Sequence, residues 1–256
     1  MPLHHAVVAH LFQFNLMRIA SWNVNSAKAR LGIIINWLKL NSCDVLLLQE
    51  TKSQDENFPR DAFFSLGWHV TIHGQKSYNG VAIASRYPIK DVMCGLPGDD
   101  SDEQARYIEA SIESVRVASI YLPNGNPAPG PKFDYKLQWM NRLNQRAAAL
   151  LASERPIVLG GDFNVIPDDL DCYDPLGWEG DALTRLETRQ TFRTLTHTGY
   201  CDALRACHPH EVIYTYWDYQ AGAWQHDHGV RIDHLLLSPE AADCLGAVGV
   251  DKNPRG

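Results

Sequence analysis

The sequence has no excess of positive charge, no long apolar run and no closely spaced pair of cysteines. Its 256 residues include 23 Lys and Arg against 30 Asp and Glu, which gives a formal net charge of -7. A protein that only binds nucleic acid is usually basic, so this charge argues against that class. It is compatible with a nuclease in which carboxylates hold the cations that meet the phosphate.

Membrane, secretion and redox signals are also absent. No apolar run approaches the ~20 residues needed to cross a bilayer, so we expect no membrane partner. Residues 1–16 contain no Lys or Arg and lack the charged start and cleavage pattern of a secretory signal. None of the six cysteines forms a CxxC pair, which favours free thiols over a zinc or redox motif. We therefore expect a soluble, cytoplasmic monomer.

The domain organisation follows from the position where folded-looking sequence begins. Residues 17–256 show no repeat, low-complexity stretch or break in composition, so we interpret them as one domain. Residues 1–16 are interpreted as a loose, disordered extension or as the product of a start codon read too early. The prediction is a single domain that begins at Met17.

Short apolar runs alternate with helical patterns along this domain. The runs predict strands over residues 18–24, 45–49, 80–85, 106–112, 115–121, 157–160, 214–218 and 231–237. Apolar residues at helical spacing predict helices over residues 27–40, 133–153 and 189–198. Because strands and helices are interleaved and several strands adjoin in sequence, a layered α/β fold is favoured over a pure parallel sheet.

Several of these apolar runs end in a polar residue that a protein core does not favour. The five residues are Asn23, Glu50, Tyr121, Asp162 and Asp233. A carboxylate at the end of a buried strand is costly unless it is paired or binds a metal. One such residue is compatible with a simple strand-end cap, whereas five indicate a site, because sites in α/β sheets assemble at strand ends.

The segment around Asp162 favours a metal that prefers oxygen ligands. Asp162 and Asn164 are two residues apart, so an extended segment would point both side chains to the same side. Gly160 and Gly161 precede them and allow the backbone to approach a ligand closely. Carboxylate and amide oxygens suit Mg²⁺ or Mn²⁺ better than zinc. The pattern predicts a metal-assisted hydrolase.

Six segments, taken in order, resemble motifs of the exonuclease III branch of the endonuclease/exonuclease/phosphatase superfamily. They are SWNVN at 21–25, LQETK at 48–52, YNGVAI at 78–83, YLPNG at 121–125, GGDFN at 160–164 and RID at 231–233. The resemblance implies a four-layer α/β sandwich, in which two mixed β-sheets pack face to face with helices on the outside.

The resemblance also implies roles for individual residues. The metal ligands would be Asn23, Glu50, Asp162 and Asn164, with Glu50 as the principal one. Asp162 would orient or deprotonate the attacking water, and Tyr121 and Asn164 would contact the scissile phosphate. Asp233 would support the site from the opposite sheet, which makes the catalytic set Tyr121, Asp162, Asn164 and Asp233.

The implied substrate is double-stranded DNA with abasic sites or blocked 3′ ends. The branch removes nucleotides from 3′ ends, incises beside abasic sites and removes 3′ phosphates in base excision repair. Contacts to DNA would come from Tyr78, Asn79, Asn124 and Trp224, although ordinary packing is an equal alternative for Trp224. Lys52 and Arg106 are further candidates for phosphate contact, with solvated surface as the alternative.

The sequence departs from the family at its end. The family ends with a Ser-Asp-His motif on a loop before a last strand, and no such motif precedes Gly256. We interpret the domain as C-terminally truncated and expect the chain as written to be weakly active or inactive, with an unpaired sheet edge. Two alternatives stay open: a catalytically impaired DNA-binding fragment, and a superfamily phosphoesterase that acts on a small phosphorylated substrate.

Overall fold

Strands account for most of the ordered segments in a computed structural model of the protein, which describes residues 3–11, 17–220 and 222–252. In chain order the strands are β1 (Leu3–His4), β2 (Ala6–Leu11), β3 (Met17–Asn23), β4 (Val45–Gln49), β5 (His69–His73), β6 (Val81–Ser85), β7 (Ile89–Cys94), β8 (Tyr107–Ile112), β9 (Val115–Tyr121), β10 (Ile157–Asp162), β11 (Cys201–Asp202), β12 (Tyr216–Trp217), β13 (Gly229–Val230), β14 (Asp233–Leu237) and β15 (Leu245–Asp251). The α-helices are α1 (Leu31–Leu40), α2 (Arg60–Phe64), α3 (Pro131–Leu151), α4 (Leu186–Thr198), α5 (Ala203–Cys207) and α6 (Pro239–Ala242).

The strands form two six-stranded sheets and a small third one. The first sheet has the order β15-β2-β3-β4-β6-β5, the second has the order β11-β14-β10-β9-β8-β7, and β1, β12 and β13 pair beside them. Both large sheets are mixed, because β3 runs parallel to β4 and β9 runs parallel to β10 while the other pairs are antiparallel. The predicted pair of mixed sheets is confirmed.

Alternating side chains explain how the layers pack. One face of each sheet contributes to a shared core, in which Ile19 and Leu47 of the first sheet join Val158 and Leu235 of the second. The opposite face of the first sheet packs on α1 and α2, and that of the second packs on α3 and α4. The order of layers is therefore helices, sheet, sheet, helices, as the resemblance implied.

Strand register brings the predicted polar residues to one edge of this sandwich. Asn23 pairs with Gln49 in the parallel β3–β4 ladder, and Glu50 follows directly. In the other sheet Asp162 pairs with Tyr121 on one side and with Asp233 on the other. The five strand-end residues therefore meet at the same end of the two sheets.

The N-terminal residues do not form the loose extension that we expected. Ala6–Leu11 is β2, which lies between β3 and β15 and is antiparallel to both. The expectation is wrong here because the alternating sequence AVVAHL buries Val7, Ala9 and Leu11 between the sheets. Residues 1–2 and 12–16 of the predicted extension lie outside the described residues. The folded domain thus includes strands before Met17.

Two further features concern membrane-spanning segments and the state of the cysteines. Within the described ranges, none of the helices is both long and apolar enough to span a bilayer. All six cysteines are free thiols, and three of them (Cys43, Cys172 and Cys244) are buried.

Candidate active site

The amide of Asn23 joins the two sheets at their polar end. Its Nδ2 donates to Oε1 of Glu50 over 2.8 Å and to Oδ2 of Asp162 over 2.9 Å. Asn23 and Asp162 are each 2% exposed, so the hydrogen bond between them is shielded from water. One neutral side chain therefore holds two carboxylates from opposite sheets close together.

Glu50 lies at the mouth of this cluster. It directly follows β4 and has a left-handed backbone with φ of 49°. Its carbonyl accepts the N–H of Ser26, which brings the loop after β3 against the loop after β4. Lys52 Nζ lies 2.9 Å from Oε2 of Glu50, and the Glu50 side chain is 17% exposed. Glu50 is thus partly open to solvent.

A tight turn aligns Asp162 with Asn164. Oδ1 of Asp162 accepts the backbone N–H of Asn164 over 2.9 Å, and Asn164 has a left-handed φ of 48°. The expected extended segment is therefore wrong beyond Asp162, where β10 ends, but the hydrogen bond keeps the two side chains together. The Asn164 amide is oriented in turn, because its Nδ2 donates to Leu122 O and its Oδ1 accepts from Asn124.

A buried lysine links the loops that carry these residues through hydrogen bonds. Lys136 is fully buried in α3, and its Nζ donates to the backbone carbonyls of Asn124, Asn164 and Ala182 at 2.6–3.1 Å. Burial lowers the pKa of Lys136 to about 7, while Asp181 and Asp162 oppose that shift. Gly125 allows the close approach, since a Cβ there would lie 2.6 Å from Lys136 Cδ.

Tyr121 faces the same carboxylates from β9. Its hydroxyl hydrogen-bonds to Glu50, and the guanidinium of Arg106 lies 4.8 Å from the centre of its ring. Burial raises the pKa of Tyr121 well above its ordinary value, and the charges of Glu50 and Asp162 raise it further. The phenol therefore stays protonated at neutral pH and can donate a hydrogen bond to an anion.

Asp233 is the first residue of β14 and is 1% exposed. The backbone N–H groups of Ile232 and Asp233 both donate to Oγ1 of Thr215 over 3.1 Å, which fixes the start of the strand. Leu235 belongs to the core between the sheets, so alternation turns Asp233 toward that gap as well. His234 points to the other face, where it packs against Phe163.

The residues predicted to contact DNA differ in exposure. Tyr78 is 59% exposed and Asn124 is also exposed, so both side chains are available at the surface. Asn79 is buried instead, and its amide donates to Gln75 and Gln104.

Trp224 is half-buried rather than freely exposed. Its ring lies 5.0 Å from Trp217 and 5.1 Å from His5. Much of the Trp224 ring is therefore packed against other rings, as the alternative interpretation expected, and the rest of its surface is exposed to solvent.

The sequence analysis did not predict four residues that lie near the cluster: His5, Lys136, Thr215 and Tyr216. Burial raises the pKa of Tyr216, with further contributions from Asp218 and then from Asp162 and Glu50, which places this phenol close to the cluster. The alternation of residues 5–11 is a signal that could have revealed His5. Lys136 lies beside an apolar helical stripe, and nothing in its spacing distinguishes it from a surface lysine.

The oxygen donors fit a hard divalent cation. Glu50 supplies a partly open carboxylate and Asp162 supplies a second one, and both accept from the Asn23 amide nitrogen. The amide oxygens of Asn23 and Asn164 are further hard donors, which accept from Asn25 N and from Asn124 Nδ2 in this structure. Within residues 3–11, 17–220 and 222–252, no three His, Cys, Asp or Glu side chains converge as a metal cage would require. Mg²⁺ commonly uses one or two carboxylates and keeps several waters, so this donor set suits it better than it suits zinc.

Comparison with known proteins gives a family match over most of the chain. Residues 20–254 match the Endonuclease/Exonuclease/phosphatase family. The sequence is 32% identical over 246 residues to exodeoxyribonuclease III of Haemophilus influenzae, covering 91% of this chain and 92% of that protein.

Solved structures share the fold at higher identity. An AP endonuclease from Archaeoglobus fulgidus is 38% identical with a TM-score of 0.86, covering 89% of this chain and 88% of that one. A variant of the 3′ phosphatase NExo from Neisseria, bound to a product DNA hairpin, is 42% identical with a TM-score of 0.86 and the same coverage.

Proposed function

The chain belongs to the Endonuclease/Exonuclease/phosphatase family and has an exonuclease III-like function in DNA repair, and from this premise we propose that it hydrolyses phosphodiester bonds of damaged duplex DNA with Mg²⁺ or Mn²⁺. The observation that carries the proposal is the Asn23 amide, which holds Glu50 and Asp162 within hydrogen-bond distance from opposite sheets. A pure DNA-binding protein has no need to gather carboxylates against a polyanion.

Glu50 is the principal metal ligand in this proposal, with oxygens of Asn23, Asp162 and Asn164 around the same position. A cation bound there supplies positive charge that offsets the charge developing on the phosphate. The salt bridge from Lys52 orients the Glu50 carboxylate, which would be the principal ligand of the cation.

Asp162 orients or deprotonates the attacking water. Each of its oxygens already accepts one hydrogen bond, from Asn23 and from the backbone of Asn164, and this fixes the plane of the carboxylate. A carboxylate oriented in this way can accept a proton from water in a defined direction.

Two neutral donors face the position where the phosphate would lie. Tyr121 stays protonated beside Glu50, and Asn164 is held by Asn124 and Leu122, so neither side chain has to reorganise when negative charge develops. Asp233 supports the cluster from the second sheet.

The proposed substrate is double-stranded DNA with an abasic site or a blocked 3′ end. The exposed Tyr78 and Asn124 would contact the DNA backbone directly. Asn79 would shape its loop from within, and Trp224 would present its open surface to the duplex. The free thiols fit a cytoplasmic location, and we propose a monomer.

The test is cleavage of end-labelled duplexes that carry an abasic analogue, a 3′ phosphate or an unmodified 3′ end, each with Mg²⁺. We expect all three to be processed, and soluble phosphoesters such as inositol phosphates to remain intact. Asp162→Asn should abolish cleavage, whereas Asp169→Asn, at a side chain 72% exposed, should not change it. Hydrolysis of the soluble esters alone would overturn the DNA assignment, and metal-independent DNA binding without turnover would indicate a binding protein.

A further inference from the structure

Lys136 is a charged residue at a core position of α3. Phe133 and Met140, which lie three positions before it and four positions after it on the helix, are both buried, and Lys136 itself is 0% exposed. A charged group that has lost its water is costly unless polar partners replace that water. An apolar side chain would pack at this position without that cost, so the partners of the lysine have to account for its presence.

Three main-chain carbonyl groups surround the Lys136 ammonium. Its Nζ donates to the carbonyl oxygens of Asn164 over 2.6 Å, Asn124 over 3.0 Å and Ala182 over 3.1 Å. An ammonium has three N–H donors and no acceptor, so these carbonyls use all of its donors. They belong to three different loops, which follow β9, follow β10 and precede α4.

Two of these loops are also joined by their side chains. Nδ2 of Asn124 donates to Oδ1 of Asn164 over 3.0 Å. Because Lys136 holds the main-chain carbonyls of both residues, the three residues form a closed ring of hydrogen bonds. The Asn164 amide, which the proposed mechanism directs at the phosphate, cannot turn without breaking a bond of this ring.

The backbone of Asn164 is held on both sides. Its φ of 48° lies in the left-handed region, which residues other than glycine adopt at a cost in free energy. Oδ1 of Asp162 accepts the N–H of Asn164, and Nζ of Lys136 donates to its carbonyl oxygen. The lysine therefore fixes the half of this residue that the carboxylate does not.

The third carbonyl connects the ring to the loop before α4. Oδ1 of Asn126 accepts the N–H of Ala182 over 3.1 Å, and Nδ2 of Asn126 donates to both carboxylate oxygens of Asp181 at 3.0 and 3.1 Å. Asn126 lies two residues after Asn124 in the loop that follows β9. Lys136 and Asn126 thus hold the same two loops together through separate contacts.

We propose that Lys136 is a positioning residue for phosphodiester hydrolysis, whose ammonium fixes the main chain of Asn124 and Asn164 so that the Asn164 amide meets the phosphate in a single orientation. This inference rests on the proposed function. Lys136 is fully buried, so it acts through Asn164 and not by contact with DNA. Displacement of a positioned group by about 1 Å can lower a rate ~10²-fold, which is the size of effect that we expect.

Lys136→Met tests the inference, because methionine is also unbranched and has no N–H donor on its side chain. With Mg²⁺, the single-turnover rate for cleavage of an abasic duplex should fall ~10²-fold. Binding of the intact duplex in EDTA should change far less than this rate. Lys39→Met, at an exposed position in the last turn of α1, is the control and should match the wild type in both measurements.

A double-mutant cycle separates positioning from a general effect on stability. Lys136→Met should lower the rate of the wild type but add little to the loss in Asn164→Ala, because the amide that the lysine positions is already absent there. The same fold loss in both backgrounds would overturn the inference and assign Lys136 to packing.

Lys136→Arg takes the place of Lys136→Met if the methionine variant fails to fold. Its guanidinium keeps a buried cation, but the planar fork does not match three carbonyls as an ammonium does, so the same loss and the same dependence on Asn164 are expected. A folded variant of either kind that cleaves within twofold of the wild type would overturn the inference alone. A folded wild-type protein that neither cleaves nor binds the duplex would overturn the proposed function as well.

Discussion

Asn23 and Asp162 are 139 positions apart in the chain, yet the amide nitrogen of the first donates to the carboxylate of the second over 2.9 Å. The same nitrogen also donates to Glu50, so the Asn23 amide links the carboxylates that the two sheets contribute to the cluster. Loss of a residue that orients metal-ligating carboxylates typically costs about 10–100-fold in metal affinity or activity.

Replacing Asn23 tests that relationship. Asn23→Ala leaves Glu50 and Asp162 without their shared donor, so we expect Mg²⁺-dependent cleavage to fall about 10–100-fold. Steady-state rates at increasing Mg²⁺ measure the effect. The exposed Asn57→Ala serves as the control, and an Asn23→Ala rate within twofold of wild type would contradict the relationship.

Tyr121 provides a second test, directed at the phosphate rather than the metal. Tyr121→Phe removes only the hydroxyl, and Glu50 keeps its hydrogen bond from Asn23 and its salt bridge with Lys52. We therefore expect an unchanged melting temperature and a kcat lowered ~10²-fold, as for the loss of one preorganised donor. Tyr87→Phe, away from the cluster, should leave both unchanged, and so would Tyr121→Phe if its hydroxyl had no catalytic role.

His234 predicts how stability depends on pH. Its Nδ1 accepts from Arg231 over 3.0 Å and its Nε2 donates to Val165 O over 3.0 Å, so the neutral ring is fully used. Burial, followed by the charge of Arg231, lowers the pKa of His234 from 6.5 to about 4, against a smaller opposing effect of Asp202.

The unfolded chain therefore binds a proton at His234 between about pH 6.5 and pH 4 that the folded chain does not. The folded pKa is lowered, so the contribution of His234 to the unfolding free energy falls by about 3 kcal/mol as the pH drops through that window. Denaturant unfolding at several pH values should show a smaller acid loss for His234→Gln than for wild type. The exposed His197→Gln is the control, and equal acid losses in all three would contradict the assignment.

Asp171 supports the start of β14 through a buried charge network. It accepts hydrogen bonds from Nε and Nη2 of Arg231 over 2.7 and 3.0 Å and a further one from Arg205, and its side chain is 1% exposed. Asp171→Asn removes the negative charge from between two guanidinium groups, so we expect a loss of about 3–5 kcal/mol in unfolding free energy.

The matched control for this change is Asp169→Asn, whose exposed pair with Arg189 should contribute less than about 1 kcal/mol. Chemical denaturation measures both variants. Equal stabilities would show that the network contributes nothing.

The central strands and longest helix could be predicted because their apolar patterns are strong. β4 and β9 begin and end where the runs at 45–49 and 115–121 do, and α3 covers residues 131–151 against a predicted 133–153. Their buried faces depend on local periodicity alone, which the sequence displays directly.

The missed elements lack that local signal. β7 is an edge strand whose side chains are partly or fully exposed, with a register shift between Lys90 and Met93, so it shows no apolar face. α1 begins at Leu31 rather than at residue 27, because the N–H groups of Ser26 and Ala27 bond to the loop after β4 instead of starting a helix.

The sequence could predict that the polar residues at the strand ends form a site. It could not predict which of them contact one another between the two sheets. The end of each apolar run revealed Glu50 and Asp162, but only tertiary packing reveals that Asn23 bridges them. Lys136 was missed for the same reason, since its three acceptors come from loops that are distant in sequence.

The most direct measurement of the central claim is incision of a duplex with one abasic analogue, with Mg²⁺ and with EDTA, by wild type and Glu50→Gln. The account predicts Mg²⁺-dependent cutting that EDTA abolishes and that Glu50→Gln lowers about 100-fold or more, while Glu56→Gln at an exposed position cuts normally. Cutting that persists in EDTA, or that Glu50→Gln leaves unchanged, would contradict the assignment of this cluster as the metal-dependent active site.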